Sequence, residues 1–135
     1  LLETVYYESL MKVDAKKALA TLDKAREEKE KGSYETALTL YREYLSMVDP
    51  SFTHGVWNTM AEILFENKDY EKALSHCNRA LELMKDFIPA LELRAKIQNA
   101  LGNTTAMKND LNTINKLNAI EQAKWDDPNH YYHYK

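Results

Sequence analysis

Three glycines and three prolines in 135 residues are too few to punctuate a many-stranded β fold, and they leave long helices with short joints as the alternative. Cysteine is scarcer still: Cys77 stands alone, so an internal disulfide is excluded and a reducing compartment, the cytoplasm, is the expectation. No apolar run approaches the roughly 20 residues that a bilayer requires, which predicts no membrane insertion. Basic excess is also missing. A formal net charge of -3 gives no electrostatic ground for nucleic acid, whose phosphates demand clustered Lys and Arg. The sequence contains no GxxxxGK[ST], no GxGxxG and no HExxH, so nucleotide-binding and zinc-hydrolase readings have no support, and no cofactor is expected. No signal-like region precedes the domain, and "WDDPNHYYHYK" ends it abruptly; the expectation is a segment of a longer protein.

What is present is a balance of 44% hydrophobic and 29% charged residues, as in a soluble globular domain. It also contains an echo. "KGSYETALTLYREYLSM" (31–47) and "NKDYEKALSHCNRALEL" (67–83) align Tyr34 with Tyr70, Ala37 with Ala73, Leu38 with Leu74, Tyr41 with Cys77 and Leu45 with Leu81. Apolar residues recur at helical spacing, so both stretches read as amphipathic helices. Each follows a second helical pattern closed by a turn, "LDKAREEKEKGS" and "VWNTMAEILFENKD". A third copy, "IPALELRAKIQNALGNTTAMKNDLNTINKL", puts Leu91 in the place of Trp57, Ala95 in that of Ala61, and Gly102 where Gly32 and Lys68 stand.

The step from Trp57 to Leu91 is the period of a helix-turn-helix solenoid. In that period and those alanines the chain resembles the tetratricopeptide repeat (TPR) family over residues 18–118. The resemblance implies an all-α fold, a right-handed superhelical array of three helix-turn-helix repeats with flanking helical segments. The divisions would be an N-terminal helical extension (1–17), repeats at 18–53, 54–87 and 88–118, a C-terminal capping helix (119–127), and a tail or start of a further domain (128–135). Alanines at 25, 61, 95, 37, 73 and 80 suit close helix approach, and Tyr34 and Tyr70 are expected to wedge between helices. The first interval is two residues longer than the second, and "DPSFTHG" is its expected place. Tyr44 for alanine, Glu28 for an aromatic and Thr104 for tyrosine mark the outer repeats as degenerate. Leu2, Val5, Tyr6, Leu10 and Val13 are expected to form a short helix on the first repeat. "AIEQAKW" would extend or follow the last repeat helix as a cap, with Ile120 and Trp125 as its apolar anchors, and Pro128 would end it.

Chemistry is sparse. Cys77 occupies the slot of Tyr41, a buried repeat position with no base paired to it, and reads as core. His130 and His133 lack companions for a tetrahedral metal set. Asn109, Asn112, Asn115 and Asn118 read as the solvated face of an edge helix. No enzyme activity is expected.

In the family, the first helix of each pair lines a concave groove that holds extended peptides or partner helices. The resemblance therefore assigns to the groove Leu22, Arg26 and Lys29, then Asn58, Thr59, Glu62 and Phe65, then Pro89, Glu92, Leu93 and Lys96. The family's best-known activity is capture of the acidic C-terminus of heat-shock chaperones by a two-carboxylate clamp. Its lysine, asparagine, asparagine, lysine and arginine would fall on Leu22, Arg26, Thr59, Pro89 and Leu93, and none matches. Arg26, Lys29 and Lys96 retain attraction for an acidic peptide, and a one-residue shift brings in Asn58, which keeps a chaperone among the candidate partners. The resulting expectation is a protein-interaction module with a protein or peptide partner, within a co-chaperone or trafficking adaptor such as an auxilin-like J-domain protein. The alternative is a scaffold packed against its own parent protein, its groove filled in cis.

Overall fold

The computed structural model describes residues 2–129, and for residues 8–13 the backbone only. The two histidines and three tyrosines of the tail, His130, His133, Tyr131, Tyr132 and Tyr134, lie outside the described residues. Within them the chain is all-α, with six helices and no strand. They are α1 (Leu2–Glu30), α2 (Tyr34–Met47), α3 (His54–Glu66), α4 (Tyr70–Leu83), α5 (Ile88–Ala100) and α6 (Thr104–Asp126).

Two compact units divide these helices, with the boundary between Val56 and Trp57 near the start of α3. In the first unit α1 packs along α2. Ala18, Leu22 and Ala25 repeat at helical spacing on α1 and are buried, as are Ala37, Leu38 and Tyr41 on α2. In the second unit α5 packs against both α4 and α6. Its apolar centre joins Ala80 and Leu81 of α4, Ala90 and Leu91 of α5 and Ile114 of α6, with Trp57, Phe87, Ile88 and Leu117 packed around them. Trp57 also ties α3 to α4, its ring centroid 5.4 Å from that of His76 and 5.9 Å from the Arg79 guanidinium.

The repeat expected from the sequence has a physical signature in the burial. Ala25, Ala61 and Ala95 on α1, α3 and α5 are all buried, as are Ala37, Ala73 and Ala80 on the partner helices. A side chain one methyl deep at these points lets helix axes approach closely. Tyr41 and Cys77, aligned by the repeat, are both buried. Tyr34 and Tyr70 are half-buried, and the Tyr70 ring lies 5.6 Å from Phe65, at the end of the preceding helix.

All three helix-pair turns use one device. Gly32, Lys68 and Gly102 have φ of 81°, 61° and 81°. In each turn the next residue donates its N–H five residues back: Ser33 to Glu28, Asp69 to Leu64 and Asn103 to Gln98, at 2.9, 2.9 and 2.8 Å. The left-handed residue itself donates three back, to Lys29, Phe65 and Asn99. This is a Schellman termination, which satisfies the last carbonyls of one helix and delivers the chain directly into the next. The joint 48–53 is two residues longer than the joint 84–87, which places the extra length of the first interval in the expected segment.

The N-terminal end differs from expectation. No short helix precedes the first repeat: α1 runs unbroken from Leu2 to Glu30, because residues 2–30 contain no glycine or proline to stop it. Leu2, Val5 and Tyr6 are 88%, 59% and 63% exposed, so they do not pack on the repeat. At the other end, α6 is continuous through residues 119–126 and leaves Ile120 and Trp125 largely exposed. It stops two residues before Pro128, with Asp127 in the extended conformation that a following proline favours.

Candidate functional site

Residues from α3 and α5 form a groove of about 350 Å³ in the second unit. Glu62, Phe65 and Glu66 line it from α3, and Pro89, Glu92, Leu93 and Lys96 line it from α5. Helical spacing explains the selection. Glu62, Phe65 and Glu66 stand three and four apart, as do Pro89, Glu92, Leu93 and Lys96, so each set falls on one face of its helix. Pro89 is tolerated because it sits in the first turn of α5, where its missing N–H has no intrahelical acceptor.

Apolar and charged groups share the groove. Phe65 is half-buried and Leu93 is buried, whereas Glu66, Glu92 and Lys96 are exposed. Three carboxylates therefore stand against one ammonium in the same hollow. Among the described residues, no ion pair engages Glu66, Glu92 or Lys96. Glu92 and Lys96 also border a second hollow of about 310 Å³ on the other side of α5, whose remaining walls are Ala95, Met107 and Leu111.

Six residues assigned to the site from the sequence (Glu62, Phe65, Pro89, Glu92, Leu93 and Lys96) meet in this groove. Asn58 does not open onto it. Asn58 is 5% exposed; its Nδ2 donates to Glu62 Oε1 at 3.4 Å, and its Oδ1 is buried with no partner among the described residues. Thr59 is half-buried and does not line the groove. Leu22, Arg26 and Lys29 belong to the first unit. There Leu22 is in the apolar core, Arg26 is exposed with a 3.7 Å contact to Asp23 one turn earlier, and Lys29 is half-buried. Glu66 was missed by the sequence reading; its position four residues after Glu62 on the same helix was the available signal.

Elsewhere in the second unit, Arg94 on α5 reaches Asp110 on α6 with Nε and a terminal nitrogen at 2.8 and 2.7 Å, and its other terminal nitrogen donates to Asn78 Oδ1 at 3.0 Å. The hydrogen bonds that Arg94 donates to Asp110 raise the guanidinium pKa further above its ordinary value. Close by, burial pushes the Cys77 thiol up to about 12, which removes any thiolate at neutral pH and with it the reactive form. Among the described residues, no group of three His, Cys, Asp or Glu side chains is arranged to hold a metal, and no helix is long and apolar enough to cross a membrane.

Paired helices with alanine contacts and glycine-type turns define a helical-repeat protein. Residues 52–113 match the tetratricopeptide repeat family. The match takes in α3, α4, α5 and part of α6, and leaves α1 and α2 outside. Among solved structures, the first TPR of Spaghetti (RPAP3), bound to the HSP90 peptide SRMEEVD, is 25% identical with a TM-score of 0.65, covering 80% of this chain and 93% of that one. The second TPR of the same protein, bound to the same peptide, is 21% identical with a TM-score of 0.66, covering 76% and 94%. The N-terminal domain of stress-induced protein-1 from C. elegans is 14% identical with a TM-score of 0.66, covering 82% and 94%. No curated protein matches the sequence.

Proposed function

We propose that this chain is a protein-interaction module that holds an extended peptide in the groove between α3 and α5. It serves within a cytoplasmic co-chaperone or trafficking adaptor, of which an auxilin-like J-domain protein is one form. The observation that carries the reading is the groove itself: Phe65, Pro89 and Leu93 give a peptide side chain an apolar seat, and Glu62, Glu66, Glu92 and Lys96 surround it with charge. Apolar anchors framed by a few polar groups are what peptide recognition requires. The RPAP3 domain of similar fold, bound to an HSP90 peptide, supports a peptide as the ligand class.

A displayed library of random peptides selected on the wild-type domain, and in parallel on Phe65→Ala and Leu93→Ser variants, tests this directly. Enrichment of related sequences by the wild type and their loss in both variants is the expected result. Equal enrichment by variants that retain full helicity would place the binding surface elsewhere.

A further inference from the structure

Charge and apolar surface in the groove together point to a class of ligand. Its walls carry three carboxylates and a single ammonium, so its local excess is negative. Glu66 and Glu92 are exposed and make no ion pair among the described residues, leaving both carboxylates available to a ligand. Exposed carboxylates without an ion pair favour a ligand that brings donors and positive charge. The apolar part is continuous with this: Phe65 and Leu93 lie on the same helix faces as Glu62, Glu66, Glu92 and Lys96.

We propose that this groove selects an internal cationic and apolar segment of a protein, one that seats an aliphatic side chain on Phe65, Pro89 and Leu93 and sets lysine or arginine against Glu66 and Glu92. The inference rests on the peptide-groove reading above and names its ligand. An acidic chain terminus is disfavoured on the same grounds. Its carboxylates need several donors, whereas the groove's side chains offer one ammonium, from Lys96, among three groups of like charge to the ligand. Arginine suits the site better than lysine, because its planar fork grips a carboxylate with two bonds.

Fluorescence anisotropy with three labelled octapeptides, acetylated and amidated so that no terminal charge contributes, provides the test. One alternates leucine with arginine, the second replaces arginine by serine, and the third replaces it by glutamate. Exposed ion pairs are individually weak, so at about 50 mM salt the arginine peptide should bind roughly 10-fold tighter than the serine peptide, a ratio that shrinks at about 300 mM. Glu66→Gln and Glu92→Gln should each weaken the arginine peptide about 2- to 5-fold and leave the serine peptide unchanged. Serine or glutamate peptides binding as tightly as the arginine peptide, or no peptide binding at all, would overturn the selection. Should Phe65→Ala still weaken whichever peptide binds, the groove reading survives that failure; if Phe65→Ala changes nothing, both fall together.

Discussion

Arg94 holds Asp110 through two parallel hydrogen bonds, at 2.8 and 2.7 Å, and thereby fastens α5 to α6. The partners differ in burial: the Asp110 side chain is 7% exposed, that of Arg94 27%. Removing either one therefore has unequal consequences. Arg94→Ala strands a buried carboxylate and should cost about 3–5 kcal/mol, while Asp110→Ala leaves a guanidinium able to turn to water and bonded to Asn78, at about 1.5–3 kcal/mol. Urea denaturation of both variants checks the order, and a larger loss for Asp110→Ala would show that the pair is not asymmetric in this way.

Lys68 is the one non-glycine among the three Schellman turns, and it holds the left-handed φ of 61° that Gly32 and Gly102 adopt without side-chain strain. Lys68→Gly relieves that strain and loses chain entropy, with a net gain of about 0.5–1 kcal/mol expected. Gly102→Ala should lose about 1 kcal/mol, for conformational reasons alone, since an added Cβ meets nothing within 4 Å. Thermal melts of the two variants should shift in opposite directions.

The Cys77 thiol has its pKa pushed up by burial to about 12, against an ordinary value of 9.0. Between those values the unfolded chain gives up a proton that the folded chain keeps. The stability from the neutral thiol is complete below the lower value and is lost as pH rises toward the upper one. The wild type should thus lose stability from pH 8 to about pH 10.5 more steeply than Cys77→Ala. Parallel slopes in urea titrations at the two pH values would contradict a buried thiol. Labelling by iodoacetamide at pH 8 should proceed at the rate of global opening, rising with urea.

Ala61 is fully buried on α3, one of the alanines that recur at buried repeat positions. Ala61→Phe should overpack that contact and cost about 1–3 kcal/mol, read as a lowered urea midpoint with unchanged helicity at low urea. A midpoint equal to that of the wild type would mean that the repeat register is displaced.

Legibility in the sequence followed the range of the interaction. The repeat of alanines and the alignment of Gly32, Lys68 and Gly102 revealed helices, turns and period, because each is governed by residues a few positions apart. The expected separate helix before the first repeat failed for a related reason: residues 2–30 lack a breaker, and local propensity carried the helix through. The groove was partly legible. Glu62, Phe65, Glu92, Leu93 and Lys96, assigned to a groove from the sequence, line one hollow because a helix face is a matter of spacing. Asn58, assigned to the groove from the sequence, is buried, since a side chain's exposure depends on what neighbouring helices cover.

By itself, then, the sequence determined an all-α chain of paired helices, where those helices turn, and which small residues stand at their contacts, since hydrophobic period, propensity and left-handed turn residues act within a few residues of chain. Tertiary structure alone decided that Arg94 and Asp110, on different helices and sixteen positions apart, form a two-pronged pair. It also decided that Glu66 joins Glu62 and Glu92 around one apolar hollow and that Asn58 loses its acceptor's water. Those outcomes depend on the distances and crossing of helices packed side by side, which determine what each side chain meets and which charges share a space.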